Sequence, residues 1–412
     1  MKTVAWIAGC LCLLWTAAVA AAQVSLDLVD NDRRFAGTIA YTQFMKAPPE
    51  ALVAEPPYRS DRRLYASLEL GDGKDRGITL VLDEKGGAGT GYDTLYVDAN
   101  NNNDLTDDAV IGMKSRKSGD RTMMACAPFD VTVKYSGGAE RVLRVSVAFH
   151  SYAFQGMPED GLEVACWYHL LQHVEGSVPL PGGEEVRMAI YDGGFGGPNG
   201  AFADIGADTL VIDRNGDRKL EGETPGPLSR VIRAKGALLA LSVDPGAMRV
   251  EIAPYDGPWG DLKAVWKLSD RSGIVSGRVT LSDSRGISLE VDTAAGQAVA
   301  FPAGDYAITM GRIEVKDAAG VVYTAEVASQ EKVTSVKAGE QAELELGAPF
   351  TLRPVIEGAF RTGQYAQISS VLLGASGEEY SSVTANGRGE RPRVQVLDAE
   401  GIEVAAGKME HG

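Results

Sequence analysis

Two stretches of this chain repeat one another without a gap, residues 91–108 and 206–223, with Asp98 and Asp213 equivalent and 115 residues apart. Both read G-x-D-T-L-x-x-D-x-N-x-(N/D)-x-x-L-x-x-(D/E). A shared run of this length implies a duplicated segment, so each copy must fold into something the other can repeat. The runs that open the motif, 94–97 and 209–212, are short and β-branched, and similar runs recur at 78–82, 131–135, 142–149, 186–190 and 248–252. Turn signals bound them: Gly71-Asp72-Gly73, Gly86-Gly87, Gly137-Gly138 and Pro181-Gly182-Gly183. No segment sustains a helical period. With 49 glycines among 412 residues, the pattern predicts a mainly β chain.

Each copy reads as one strand (64–70 or 167–174), a glycine-rich turn, a second strand, a variable insert, the D-T-L strand and the acidic loop. A closing hairpin follows, near 131–149 and 238–252. The expected units span 57–156 and 157–258, after an N-terminal arm at 23–56 interrupted by Pro48-Pro49 and Pro56-Pro57. Beyond Trp259 the character changes. Runs at 277–281, 287–291, 298–301, 306–310, 321–327 and 342–346 alternate apolar and polar residues. One or two β-sandwich (Ig-like or transthyretin-like) modules are expected at 259–348 and 349–412, the second with strands at 367–373 and 393–397. The turn Pro302-Ala303-Gly304-Asp305-Tyr306 resembles extracellular β-sandwich modules of the transthyretin or carboxypeptidase-regulatory type.

The first 22 residues read as an export signal. Lys2 precedes an uncharged apolar run at 4–19, and Ala20-Ala21-Ala22 offers a small-residue cleavage site. Ile7-Ala8-Gly9-Cys10 looks like a lipoprotein box but lies inside the apolar run rather than at its end. No later segment is long and apolar enough to span a bilayer, so the expected location is periplasmic or extracellular, with no membrane span after signal removal. A net charge of −16 repels nucleic acid and anionic lipid and suits divalent cations. Cys126 and Cys166 remain after the signal, and could form one disulfide or stay as two buried thiols.

The acidic loops carry the chemistry. Asp98, Asn100 and Asn102, like Asp213, Asn215 and Asp217, place oxygen donors at alternate positions. On a tightly turning chain these converge on one point, as calcium requires, since it takes six to eight oxygens at ~2.3–2.6 Å. Counting Asp98 and Asp213 as position 1, the carbonyls of Asp104 and Lys219 would add a ligand at position 7. Asp107 or Asp108 would close the first shell, and Glu221 or Glu223 the second. Leu105 and Leu220 would pin the turns. The second loop, with Asp217 at position 5, is expected to bind more tightly than the first.

The loops resemble the D-x-N-x-D-G family of EF-hands, dockerins and integrin-head hairpins. Three departures stand out. Position 6 is Asn103 or Arg218 rather than glycine, the final acid stands at position 11, and Pro225 and Pro227 exclude a following helix. A hairpin loop is the closer analogy, with Arg218 the main objection because arginine resists a left-handed backbone. Asn and Asp also build such turns without metal. The element N-G-x-F-x-D at 199–204, running into the second motif, resembles uncharacterised exported bacterial proteins with calcium-loop repeats and C-terminal β-modules. The stretches at 339–347, 377–380 and 407–412 fit the same pattern. The resemblance implies no known activity.

Catalytic signatures are sparse. His169 and His173 would stand about 13 Å apart on a single strand, too far for one ion. The chain has no H-E-x-x-H and no G-x-S-x-G. The expectation is an exported calcium-binding β-protein with a structural, adhesive or binding role in the cell envelope, its partner an envelope protein or polysaccharide and not nucleic acid. The alternative is a carbohydrate-active hydrolase using paired carboxylates, which need no sequence signature.

Overall fold

The computed structural model describes residues 21–31, 39–87, 91–118, 121–152, 163–180, 183–194, 197–267, 272–330, 333–357, 367–389, 393–397 and 403–408. Most of the expected export signal, the turn residues Pro181 and Gly182, and the terminal stretch 409–412 lie outside them. Every regular element among the described residues is a β-strand.

The two copies fold into four-stranded meanders of the same order. Leu64–Glu69, Gly77–Asp83, Thr94–Val97 and Val110–Gly112 lie side by side in chain order. Gln172–Pro179, Glu185–Tyr191, Thr209–Ile212 and Gly226–Pro227 repeat the arrangement. The register matches as well, with Val97 opposite Leu80 and Ile212 opposite Met188. In each copy the acidic loop joins the third strand to the fourth.

All four residues of Thr94–Val97 and of Thr209–Ile212 are buried. Leu95, Val97, Leu210 and Ile212 face one large core. Tyr96 points the opposite way into a small cluster with Tyr65, Val81 and Leu105, and Val211 joins Ala189, Tyr191 and Leu220. Both faces are covered, so these strands read as unbroken apolar runs instead of alternating ones. The leucines of the loops therefore pin them to these satellite clusters.

The large core runs from Leu26 to Ile252 and is common to both copies. It includes the closing hairpins, Phe129–Lys134 with Glu140–Tyr152 and Ala237–Asp244 with Arg249–Pro254. The run at 167–174, expected as one strand, is two. Glu163–Leu170 pairs with Glu140–Tyr152, and Gln172–Pro179 opens the second meander. Tyr168, Leu170 and Val174 all enter the core, so the bend at Leu171 preserves side-chain parity and leaves no mark in the periodicity.

The N-terminal arm laces the sheets together. Ala22–Ser25 pairs with Arg249–Pro254, Asp27–Asp30 with Gln172–Pro179, and Ala40–Gln43 with Glu163–Leu170. Covering three sheet edges in this way removes unpaired backbone donors and acceptors.

Beyond Trp259, one sheet runs in the order Ser288–Asp292, Ser272–Ser282, Gly304–Asp317, Val322–Gln330, Glu378–Ala385, Gln367–Leu373, Thr351–Glu357. Strands after residue 350 thus extend the sheet begun at 272. Val299–Pro302, Trp259–Lys267 and Gln341–Gly347 form a second sheet with one parallel pair, and Arg393–Leu397 pairs with Glu403–Lys408. A second core fills this region. The strand Val231–Ala234 joins the two cores: Ile232 and Ala234 enter the first, Val231 the second. No described helix is long and apolar enough to cross a membrane.

Candidate metal centre

Each loop is organised by the carboxylate at position 1. Asp98 is buried and accepts the Asn102 and Asn103 N–H groups, both at 2.9 Å, one on each oxygen. Asp213, also buried, accepts from Gly216 at 2.7 Å and Arg218 at 2.9 Å. The adjoining strand fixes the height of each, because Asp98 N–H donates to Thr79 and Asp213 N–H to Arg187, both at 2.9 Å.

A ladder of Asx turns continues from there. Asn100 Oδ1 accepts Asn102 N–H at 3.1 Å, and Asn102 Oδ1 accepts Asp104 N–H at 2.8 Å. Asp104 Oδ1 accepts Thr106 N–H at 2.8 Å. In the second loop Asn215 Oδ1 takes Asp217 N–H and Asp217 Oδ1 takes Lys219 N–H, both at 2.8 Å. Each such oxygen keeps a second lone pair. Left-handed backbone falls at positions 4 and 6 in both copies: Asn101 (φ 56°) and Asn103 (φ 65°), Gly216 (φ 79°) and Arg218 (φ 64°). Arg218 thus adopts the conformation glycine was expected to supply, at a cost of about 1 kcal/mol.

Position 11 closes each loop. Asp108 Oδ1 accepts Ala99 N–H at 3.1 Å, and Glu223 Oε1 accepts Arg214 N–H at 3.1 Å and Asn215 N–H at 3.3 Å. Asp107 Oδ2 receives the amide groups of Asn100 at 3.2 Å and Asn102 at 3.0 Å. The fold therefore gathers Asp98, Asn100, Asn102, Asp107 and Asp108 around one turn, and Asp213, Asn215, Asp217 and Glu223 around the other. Asp104 takes part through its Asx turn, whereas the side chains of Lys219 and Glu221 are exposed. Among the described residues no three His, Cys, Asp or Glu side chains converge as a ready-made metal cluster. A cation at either loop would also need amide oxygens, backbone carbonyls and water.

The two loops differ in satisfaction and charge. In the first, Asp108 Oδ2 and Asn101 Oδ1 are buried without a hydrogen-bond partner among the described residues. Burial, with Asp98 and Asp107 nearby, pushes Asp108 up to about 6. Between 98 and 108 stand four aspartates and no basic residue, whereas 213–223 carries Arg214, Arg218 and Lys219 beside its four acids. The first loop is also tied to its neighbours through the backbone. Val53 N–H donates to Asn103 at 2.8 Å, Leu105 N–H to Ala54 at 3.1 Å, and Thr132 N–H to Ala99 at 2.7 Å. The Lys134 ammonium donates to the Asn101 carbonyl. The second loop is exposed from Arg214 to Lys219.

The glycine-rich insert before the second loop has its own carboxylates. Asp208 accepts Gly193 and Asp204 N–H groups, both at 2.8 Å, and Asp192 accepts those of Asn199 and Gly200. Asp204 and Asp208 therefore shape the insert rather than the calcium-type loop. Burial, then the charge of Asp208, raises Asp192 well above the usual carboxylate range, and burial pushes Asp208 up to about 6. Asp192 was not singled out from sequence. Its place at the end of a strand, one residue past Tyr191, is the signal that could have found it. Glu84 stands equivalently in the first copy and accepts Gly91 N–H at 3.0 Å.

His169 and His173 lie on consecutive strands. His173 stacks on Tyr191 with centroids 4.4 Å apart and meets Asn31 through Nδ1 at 2.8 Å. Cys126 and Cys166 are free thiols. Burial pushes Cys126 up to about 11 and Cys166 higher still, away from the thiolate form a nucleophile needs. No protein-family model matches this chain, and no curated protein matches it.

Proposed function

We propose that this chain is an exported calcium-binding β-protein with a structural, adhesive or binding role in the cell envelope, its partner an envelope protein or polysaccharide. The reading is carried by the first loop, where among the described residues the buried Asp108 Oδ2 has no hydrogen-bond partner. A buried polar atom without a partner costs about 1–3 kcal/mol, and a hard cation satisfies an oxygen that no donor reaches. Asp98, Asn100, Asn102, the Asp104 carbonyl, Asp107 and Asp108 would hold the ion in the first loop. Asp213, Asn215, Asp217, the Lys219 carbonyl, Glu221 and Glu223 would hold it in the second. Bound calcium supplies positive charge that offsets the facing carboxylates, and the residues' own part is to hold the turn closed.

The charge count reverses the order of affinity expected from position 5 alone. Arg214, Arg218 and Lys219 lie within the second loop's sequence and no basic residue within the first's, where Lys134 alone reaches the backbone, so the first loop binds more tightly in this proposal. Asp192 and Asp208, one carboxylate pair open to the hydrolase alternative, are 3% and 1% exposed and offer a glycan no approach. Thermal unfolding with calcium and with chelator tests the proposal. The melting temperature should rise with millimolar calcium and return with chelator. Equal melting temperatures in the two conditions would leave the loops as plain turns.

A further inference from the structure

Residues 199–208 of the second copy reach across to the first. The Asn199 carbonyl accepts Gly71 N–H, and the Gly200 carbonyl accepts the Tyr135 hydroxyl at 2.6 Å. Gly200 (φ 77°) lies so close to the first copy's closing hairpin that a Cβ there would stand 3.0 Å from Leu143. Phe202 is buried in the core common to both copies, although its backbone is left-handed (φ 54°), a conformation that strains a bulky residue. The segment is therefore held in place against a tendency to relax.

Two carboxyl groups hold it there. Asp192 accepts the N–H groups of Asn199, at 3.1 Å, and Gly200, and Asp208 Oδ2 accepts that of Asp204 at 2.8 Å. Asp208 Oδ1 takes the N–H of Gly193, next to Asp192, at 2.8 Å, and the two side chains hydrogen-bond each other. Both are buried, and two negative charges cannot stand side by side out of water. A hydrogen bond between carboxyl groups also requires a proton on one of them. The groups around the pair are acidic or neutral. Asp204 acts on both and meets the Asn199 amide. Tyr135 from the hairpin and Tyr168 from Glu163–Leu170 face Asp192. Behind them, Arg141 and Asp72 act on Tyr135, and Cys166 and Glu69 on Tyr168.

We propose that Asp192 and Asp208 share a proton and so form a pH-dependent latch, which holds residues 199–208 of the second copy against the first in acid and loosens as pH rises. Burial and mutual charge raise both groups, Asp208 to about 6 and Asp192 well above the usual carboxylate range. Opening admits water, returns the carboxyls toward ~3.9 and frees the proton. The closed state binds more protons than the open one, so opening becomes easier with rising pH. Below about 4 the effect is absent. Above about 6, where Asp208 is already ionised, Asp192 carries it alone, at up to about tenfold per pH unit. The latch does not depend on calcium in the loops.

Hydrogen exchange of the full chain in chelator, corrected for the intrinsic effect of pH on exchange, tests it between pH 6 and 8. The peptide 199–208 should lose protection at least about tenfold across that window, and Gly71 N–H should follow, while residues 278–282 of the C-terminal sheet keep theirs. Asp192→Asn, whose amide donates to Asp208 as the protonated acid does, should flatten the change to less than about threefold. Infrared spectroscopy of wild type carries the test if that variant fails to fold: a protonated carboxyl should absorb at pH 7 and vanish on unfolding. Level protection of 199–208 in wild type, a wild-type slope in Asp192→Asn, or no protonated carboxyl at pH 7 overturns the proposal. Because chelator is present throughout, such a failure leaves the calcium reading untouched.

Discussion

Asp98 and Asp213 hold their loops by the same two-pronged grip on the backbone, yet they hold them in different places. The first loop is built into the body of the protein, tied to the N-terminal arm at Val53 and Ala54 and to the neighbouring hairpin at Thr132. The second faces solvent, and Arg214 beside it reaches across to Glu290 of the C-terminal sheets. The duplicated sequence therefore fixes the turn. What surrounds the turn sets how strained, how charged and how well satisfied it is.

The largest expected difference is in the position 1 aspartates. Asp98→Ala leaves the Asn103 N–H without an acceptor, while Asn102 N–H keeps Asn100 Oδ1, and empties a buried site tied to its neighbours, so it should cost about 2–3 kcal/mol. Asp213→Ala exposes its freed N–H groups to water and should cost about 1–2 kcal/mol. Chemical denaturation of both variants measures the gap, and equal losses would mean that the first loop's backbone ties to its neighbours count for nothing.

A second distinction is in pH dependence. Asp108 sits at about 6 in the fold, above the ~3.9 of an unfolded aspartate. The folded state then holds the proton more strongly, so without calcium this group lowers stability as pH rises through that window. Below about 4 the effect is absent, and above 6 it is complete. Asp208 and Asp192 act in the same direction, so the informative quantity is the difference between wild type and Asp108→Asn. The variant should be more stable than wild type at pH 7 in chelator, and should lose that advantage by pH 4. A parallel pair of stability curves would remove the strain assigned to the first loop.

The smallest effect concerns position 6. Arg218→Gly should stabilise the second loop by about 1 kcal/mol by relieving a left-handed arginine. Asn103→Gly should gain less, because asparagine tolerates that backbone. Melting temperatures of the two variants show whether the difference holds.

Local features of this fold were legible in the sequence, and long-range ones were not. The D-T-L strands, the loops and the leucines at position 8 follow from composition and spacing within some twenty residues. The bend at Leu171 was hidden because it keeps Leu170 and Val174 on the same face. The pairing of the arm with three sheet edges joins residues far apart in sequence and has no local signature. Among site residues, the oxygen donors of both loops stood out by their alternation. Asp192 did not, since one aspartate after a strand looks like any turn. Nor could spacing reveal that Asp108 would be left with a bare oxygen.

Calcium calorimetry on wild type, Asp98→Ala and Asp213→Ala bears most directly on the central claim. Wild type should show two sites with Kd values around 10⁻⁴–10⁻³ M, the tighter lost in Asp98→Ala and the weaker in Asp213→Ala. No calcium-dependent heat from wild type at about 5 mM would contradict the account.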